Sequence, residues 1–339
     1  MLTNDPDLSL VPRHDRVLAA VSGGADSLAL LHWLVELGRD VVVGHVNHDL
    51  HELRSGDCDV DEAFVAGRAA ELGVPFVSET VQLPRKGEHV NEAVARDARY
   101  RALVSMARLN GCNRLATGHT ADDGLETLLL NLLRGPSLRG FAGIPPCREL
   151  TTNLLLVRPF WRVPRAGTRA MLQAGGHTWR EDDSNRATVF RRNRIRHEVL
   201  PLLGEIAGRE PGQLAADYAA SAMVLRDELD FQGATALAAL GQIVRERTSE
   251  RVILDAPALM ALHPALQRRV IRLSGQEVAP EAPPADLAHV EAMRAAIDSG
   301  ARRTVWSLEG GLRVEWTGTM AGNRLRFWCV RTRNEGLET

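Results

Sequence analysis

Residues 17–37 read VLAAVSGGADSLALLHWLVEL, and the order of their parts decides the fold. Val17 to Val21 is a short apolar run suited to a fully buried strand, and Leu28 to Leu37 is long enough to form a helix. Between them lies Ser22-Gly23-Gly24-Ala25-Asp26-Ser27. Two adjacent glycines remove side chains where backbone must wrap close to a ligand. Ser27 and the amides after it sit near a helix N-terminus, where unpaired N–H groups and the dipole favour phosphate. The hydroxyls of Ser22 and Ser27 add donors. Asp26 is a poor partner for phosphate unless a cation intervenes, which points to Mg2+. The plainer reading is a tight turn in which Asp26 or Ser27 caps the helix. No Gly-Lys-Ser/Thr follows and GxGxxG is absent, so neither familiar phosphate motif is present. Without a lysine at the β/γ junction, such a loop suits a leaving pyrophosphate and attack at the α-phosphorus.

Outward from this stretch, strands and helices alternate. Asp40 to His45, Val74 to Glu79 and Arg114 to Thr117 read as strands; 58–72, 92–109 and 123–133 read as helices. Right-handed crossovers of this length imply an α/β fold with a parallel sheet covered on both faces. Arg148 to Arg158 is β-rich, and Ala166 to Ala174 is a short helix stopped by Gly175-Gly176. Gly208, Pro211 and Gly212 mark a boundary. A catalytic domain over 1–208 and a smaller mixed helical and β domain over 209–339 are expected. In the latter, 213–240, 254–273 and 289–299 read as helical, and the tail alternates like strands, with Gly310-Gly311 at a turn.

Composition narrows the class. The chain is 45% hydrophobic and 25% charged with a net charge of −2, which suits a globular protein and argues against general nucleic-acid coating. Cys58, Cys112, Cys147 and Cys329 form no CxxC pair, so a zinc ribbon, iron–sulfur site or redox dithiol has little support. The first residues, MLTNDPDLSL, do not read as a signal peptide, and no apolar run reaches ~18 residues, so no membrane partner and a cytoplasmic location are expected.

Three further clusters carry chemistry. Gly118-His119-Thr120-Ala121-Asp122-Asp123-Gly124-Leu125-Glu126-Thr127 follows the fourth strand, at the sheet edge where ligands bind. Asp123 and Glu126 fall three apart on one helix face, where like charges repel unless a metal or an ammonium ion sits between them. Plain helix capping by the acids is the competing reading. His45, Asn47 and His48 in GHVNHDLHE are expected to line the nucleotide or substrate cleft, in preference to a zinc site. Arg186, Arg191, Arg192, Arg194 and Arg196 crowd one segment, where phosphates would satisfy them bidentately. A solvated face paired with Glu181, Asp182 and Asp183 would satisfy them too. Trp179 or Phe190 could stack on a base, and Arg268, Arg269 and Arg272 form a second basic set expected to hold RNA.

Taken in order, SGGADS (22–27), HVNHDLH (45–51) with Arg54, AVARDARYRAL (93–103), GHTADDGLET (118–127), NLLRG (131–135), RPFW (158–161), WREDDSN (179–185) and RRNRIRHEVLP (191–201) resemble the PP-loop ATP pyrophosphatases. More narrowly, the set resembles the tRNA(Ile)-lysidine synthase family. The resemblance covers most of 15–205; the last two motifs are the specific ones. It implies ATP in the 22–27 loop, with Ser22, Gly23, Gly24, Ala25, Asp26 and Ser27 around it and Mg2+ held by Asp26, Asp123 and Glu126. It implies tRNA(Ile) and free L-lysine as partners, with Arg192 and Arg194 near the reacting centre. Which of Asp123 and Glu126 would hold metal and which lysine stays open. Lysidine enzymes are often dimers, so a homodimer is among the assemblies allowed. Three departures stand out: Gly124 where the family usually has glutamine, Asp183 where it has proline, and a variant RGPSLRGFAGIP passage. An ATP-dependent synthetase acting on a small metabolite and a non-enzymatic RNA-binding module are the competing functions.

Overall fold

The computed structural model describes residues 4–48, 57–81, 92–135, 137–180, 191–318 and 323–330. The chain divides into two compact units, Met1–Arg226 and Asp227–Thr339. The expected boundary at 208/209 lies just before one long helix (Pro211–Ile243), and the division between the units lies within that helix.

In the first unit the elements run β1 (Arg16–Ala20), α1 (Ala25–Glu36), β2 (Asp40–His48), α2 (Asp57–Glu71), β3 (Phe76–Val81), α3 (Glu92–Leu109), β4 (Arg114–Thr117) and α4 (Ala121–Arg134). A short α5 (Leu138–Phe141), β5 (Cys147–Thr151), β6 (Leu154–Val157) and α6 (Arg165–Ala174) follow. The last part carries α7 (Arg191–Arg194), a π-helical stretch (Ile195–Val199), α8 (Leu200–Ala207) and the start of α9 (Pro211–Ile243). The β-rich stretch 148–158 is a hairpin, β5 to β6, turned through Asn153 at φ 67°. The sheet order is β3-β2-β1-β4-β6-β5, parallel except for β5 on the edge.

Alternation along β1 explains the layers. Val17, Ala19 and Val21 face one side and pack with Leu28, Leu31 and Leu34 of α1, Val65 of α2 and Leu172 of α6. Leu18 faces the other side with Val42 and with Leu103 and Met106 of α3. A third cluster joins Leu125 of α4 to Trp161, Ile195, Leu200 and the Ala215 and Ala219 face of α9. The chain runs outward from β1 through β2 and β3, then returns to β4 on β1's other side. The strand order therefore reverses between β1 and β4, and in such sheets a crevice opens at the carboxyl ends of the strands at that point.

The second unit holds the rest of α9, then β7 (Val244–Arg247), β8 (Arg251–Asp255), α10 (Ala256–Ala261), α11 (Pro264–Val278), α12 (Leu287–Asp298), β9 (Arg303–Ser307), β10 (Leu312–Thr317) and β11 (Arg324–Cys329). Its sheet, β7-β8-β11-β10-β9, is antiparallel throughout. The stretch 254–273 is mostly helical as expected, in α10 and α11, but its first two residues belong to a strand: Arg251–Asp255 pairs with β11, and helix resumes at Ala256. Val252, Ile253 and Leu254 are all buried, as a central strand requires, and Asp255 stops the strand by accepting the Ala258 amide at 3.1 Å.

Candidate active site

Two loops meet at the crevice. After β1 the backbone turns through Gly23 at φ 90°, a conformation that favours glycine, and α1 begins at Ala25 with Gly24 as its cap. No side chain caps this end, so its first amides are left without a side-chain acceptor. The loop is internally braced: Ser27 Oγ donates to the Gly24 carbonyl at 2.9 Å and accepts from the Ser22 amide at 3.2 Å. Gly118, after β4, lies directly against it. A Cβ there would sit 2.6 Å from the Asp26 carbonyl oxygen, so only glycine permits this approach.

Arg165, the first residue of α6, ties the loops together. Its backbone amide donates to Asp122 Oδ2 at 2.7 Å, and its guanidinium reaches Asp26 Oδ2 (3.4 Å), Asp123 Oδ1 (3.3 Å) and Glu126 Oε1 (3.5 Å). Glu126 is fully buried, a costly position for a carboxylate unless it is paired. Arg192 Nε reaches its Oε2 at 2.7 Å and Arg196 Nε its Oε1 at 2.7 Å. Asp123 splits its oxygens: Oδ2 accepts the Thr120 amide at 2.8 Å, and Oδ1 faces Arg165 and Arg192. The carboxylate thus caps the helix with one oxygen and pairs with guanidiniums through the other.

The field sorts these groups. Burial pushes the Asp123 carboxyl up, but Arg165, Arg192 and the Thr120 amide outweigh it and hold it below the usual carboxylate range. Burial, reinforced by Asp123, raises Asp26 despite Arg165 and a hydrogen bond from Thr168. Burial presses His119 down to about 3, so the imidazole is neutral at pH 7; its Nδ1 lies 2.9 Å from Thr117 Oγ1.

Comparison with known proteins places this geometry. A family model described as a PP-loop domain matches residues 3–203, more than half of the chain. The tRNA(Ile)-lysidine synthase of Symbiobacterium thermophilum is 39% identical over 78% of the chain, that of Dehalococcoides mccartyi 33% over 87%, and that of a Nostoc species 32% over 87%. The match takes in 87% of the Nostoc protein. The chain belongs to the tRNA(Ile)-lysidine synthase family. It spans 56% and 64% of the lengths of the first two relatives.

Against the family pattern, the structure places the expected residues unevenly. It gathers Asp26, Asp123, Glu126 and Arg192 in one cluster. Arg194 is turned away, 63% exposed and paired with Glu198 at 2.9 Å, and Arg196 stands at the acids instead. His45 is buried and bonds the Val21 carbonyl through Nδ1 at 2.8 Å, which steadies the strand feeding the loop. Asn47 donates to Glu62 at 2.9 Å, and the side chain of His48 lies outside the described residues. So do 181–190, with Asp183, Arg186 and Phe190. Trp179 packs against the core of the first unit. In the second unit Arg268 binds Glu291 at 2.6 Å, Arg269 binds Gln232 at 2.9 Å and Arg272 binds the Ala285 carbonyl at 2.9 Å.

The Gly124 departure has a structural counterpart. A Cβ on Gly124 would meet the Tyr218 ring at 3.0 Å, so the tyrosine of α9 fills space that a longer side chain would need. Tyr218 donates to the Phe141 carbonyl at 3.2 Å.

Arg165, Thr168 and His119 are the site residues that motif reading passed over. Arg165 follows Pro164, and Pro at a helix start signals only a boundary.

Proposed function

We propose that the chain ligates free L-lysine to C2 of the wobble cytidine of tRNA(Ile) with a CAU anticodon, consuming ATP and releasing AMP and pyrophosphate. The observation that carries this reading is the convergence on Arg165 of Asp26, from the glycine loop, with Asp123 and Glu126, from the second loop. A triphosphate seated on the amides of 22–27 would present its α-phosphorus to a base entering the same crevice. The cytosine C2 oxygen attacks that phosphorus and pyrophosphate leaves. The lysine amine then attacks C2 and AMP departs. An anticodon base suits the site because it lies in a single-stranded loop and can leave its stack.

Magnesium fits only part of the acid group. Both oxygens of Glu126 carry short guanidinium contacts, and those of Asp123 are taken by Thr120 and the arginines. Among the described residues no set of three or more His, Cys, Asp or Glu is disposed to hold a metal ion. Asp26 Oδ2, with its single 3.4 Å contact, is the oxygen that suits Mg2+ arriving with ATP. In this arrangement Asp123 and Glu126 instead hold Arg165, Arg192 and Arg196 ready for the phosphates and the entering base. Arg194, 63% exposed beside the cluster, would meet the tRNA strand outside it.

The region after residue 208 is then the tRNA-facing part, and a homodimer and a cytoplasmic location accompany the reading. No helix among the described residues is long and apolar enough to cross a membrane. The test is incubation of the protein with ATP, labelled lysine and cytidine-anticodon tRNA(Ile). Label in that tRNA, and none when the wobble cytidine is replaced, is the expected result; folded protein that leaves the tRNA unlabelled rejects the activity.

A further inference from the structure

A second group of arginines gathers around a buried tyrosine of the first unit. Tyr100 of α3 is buried, and three guanidinium carbons ring its phenol, those of Arg96 at 5.0 Å, Arg148 at 5.5 Å and Arg99 at 5.8 Å from the ring centroid. Arg96 Nη2 also approaches the Tyr100 hydroxyl at 3.5 Å. A fourth cation, Arg158, is 2% exposed. Its Nη1 donates to the Pro145 carbonyl at 2.6 Å, and its buried Nε has no partner.

Backbone pairing brings Arg148 and Arg158 near each other. Arg148 opposes Leu156 across the β5–β6 hairpin, and the Arg158 amide donates to the Pro146 carbonyl at 2.8 Å. Among the described residues, none of Arg96, Arg148 and Arg158 forms an ion pair with a carboxylate. Burial, Arg148 and Arg96 lower the Arg158 guanidinium from its ordinary value, with only Tyr100 acting the other way among its leading influences. Buried cations facing like charges are costly, and the natural relief is an anion.

We propose that Arg96, Arg148 and Arg158, arranged around Tyr100, form a phosphate site that takes a backbone phosphate of the RNA strand. Guanidinium forks match phosphate oxygens bidentately, and several converging on one group suit a phosphate better than a single carboxylate. Arg96 and Arg148 are exposed and Arg158 is buried, so the group opens to solvent on the side of the first two. His119 feels both arginine groups: after burial and Asp123, the charges bearing on it are Arg158, Arg192 and Arg96. A strand whose base reaches the acid–arginine cluster carries a neighbouring phosphate past this ring. The assignment rests on the tRNA reading for its source of phosphate; the anion chemistry of the ring does not.

The experiment compares wild type with Arg148→Glu, Arg148→Ala and Arg148→Lys, exposed changes on an edge strand whose folding is checked by thermal unfolding. The probes are cytidine-anticodon tRNA(Ile), inorganic pyrophosphate and ATP. Arg148→Glu is expected to weaken tRNA binding about tenfold or more and to lower the slope of log K against log salt by about one. Arg148→Ala gives a smaller loss, Arg148→Lys recovers most of it, and ATP affinity stays in place. Unchanged tRNA and pyrophosphate binding in all three variants overturns the site. A loss of pyrophosphate binding with tRNA binding intact overturns the RNA assignment and makes the ligand a free phosphate. If wild type labels no tRNA with lysine while Arg148→Glu still loses tRNA binding, the ligase reading falls and the phosphate site stands.

Discussion

The two units bury different things. The second unit encloses an apolar core, Trp316, Phe327, Leu254, Val270 and Met293 among its members. Its buried polar side chains are fully occupied: Gln267 donates to two carbonyls and accepts from Arg294, and Ser274 donates to Val270. Its ion pairs, such as Arg303–Glu315 and Arg245–Asp255, lie towards solvent. The first unit has an equally apolar interior around its sheet, yet it also buries Glu126 and Arg158 at the carboxyl edge. Sequestering ionised groups opposes folding, and an apolar set of the same volume would usually do as well or better. Apart from the Asp15–Arg114 pair at the amino ends of β1 and β4, the buried charges gather at the edge where α/β sheets bind ligands and mark the candidate site, and the second unit lacks that signature.

The largest test of this contrast is Glu126→Gln. The change keeps shape and removes the charge that Arg165, Arg192 and Arg196 share. Three guanidiniums then face each other with one carboxylate fewer, and breaking a buried pair of this kind costs about 3–5 kcal/mol. Urea unfolding reads that loss, and lysine incorporation should fall about a hundred- to a thousandfold in protein that remains folded. Stability and turnover near those of wild type would remove the distinction between the units.

Gly118→Ala sharpens the same point with no change of charge. The added methyl would lie 2.6 Å from the Asp26 carbonyl oxygen and 3.0 Å from the Ser27 amide, so the 22–27 loop must retreat. Overpacking of this order costs about 1–3 kcal/mol. The effect should fall on ATP, as a raised KM with tRNA affinity little altered. Equal loss of both would mean that the loop serves the whole cleft.

How much of this was readable in the residues depends on whether the signal is local. β1 to β4 and their helices are periodic over long runs, and the structure reproduces their order with ends shifted by a few residues. The β7–β8 hairpin escaped because Val252-Ile253-Leu254 is a short apolar run, and periodicity alone does not separate a buried strand from a helix segment. At the site, Asp26 and the 123/126 pair were visible because both follow strands and sit near the starts of helices. Arg165 was not, since its role depends on α6 docking across the crevice from three acids that lie 39 to 139 residues away in sequence. The choice between Arg194 and Arg196 was partly readable: 192 and 196 are four apart and share a helix face, and 194 points elsewhere. The arginine ring at Tyr100 joins α3, β5 and the end of β6, and no motif spans them.

The smallest expected effect lies in the second unit, at Arg303→Gln. Arg303 is 70% exposed, and its Nε meets Glu315 at 2.7 Å across β9 and β10. An exposed pair of this kind contributes about 0.2–1 kcal/mol, because water screens both charges and two long side chains must be held still. Glu315 also keeps a second cation, Arg326 Nη1 at 3.5 Å, so removal of Arg303 leaves no unpaired acid. The unfolding free energy should therefore move by well under 1 kcal/mol, several times less than for Glu126→Gln. A loss approaching that of the buried glutamate would show that the second unit, too, depends on its charges. The contrast between a charged edge in one unit and an apolar core in the other would then fail as a guide to where the chemistry sits.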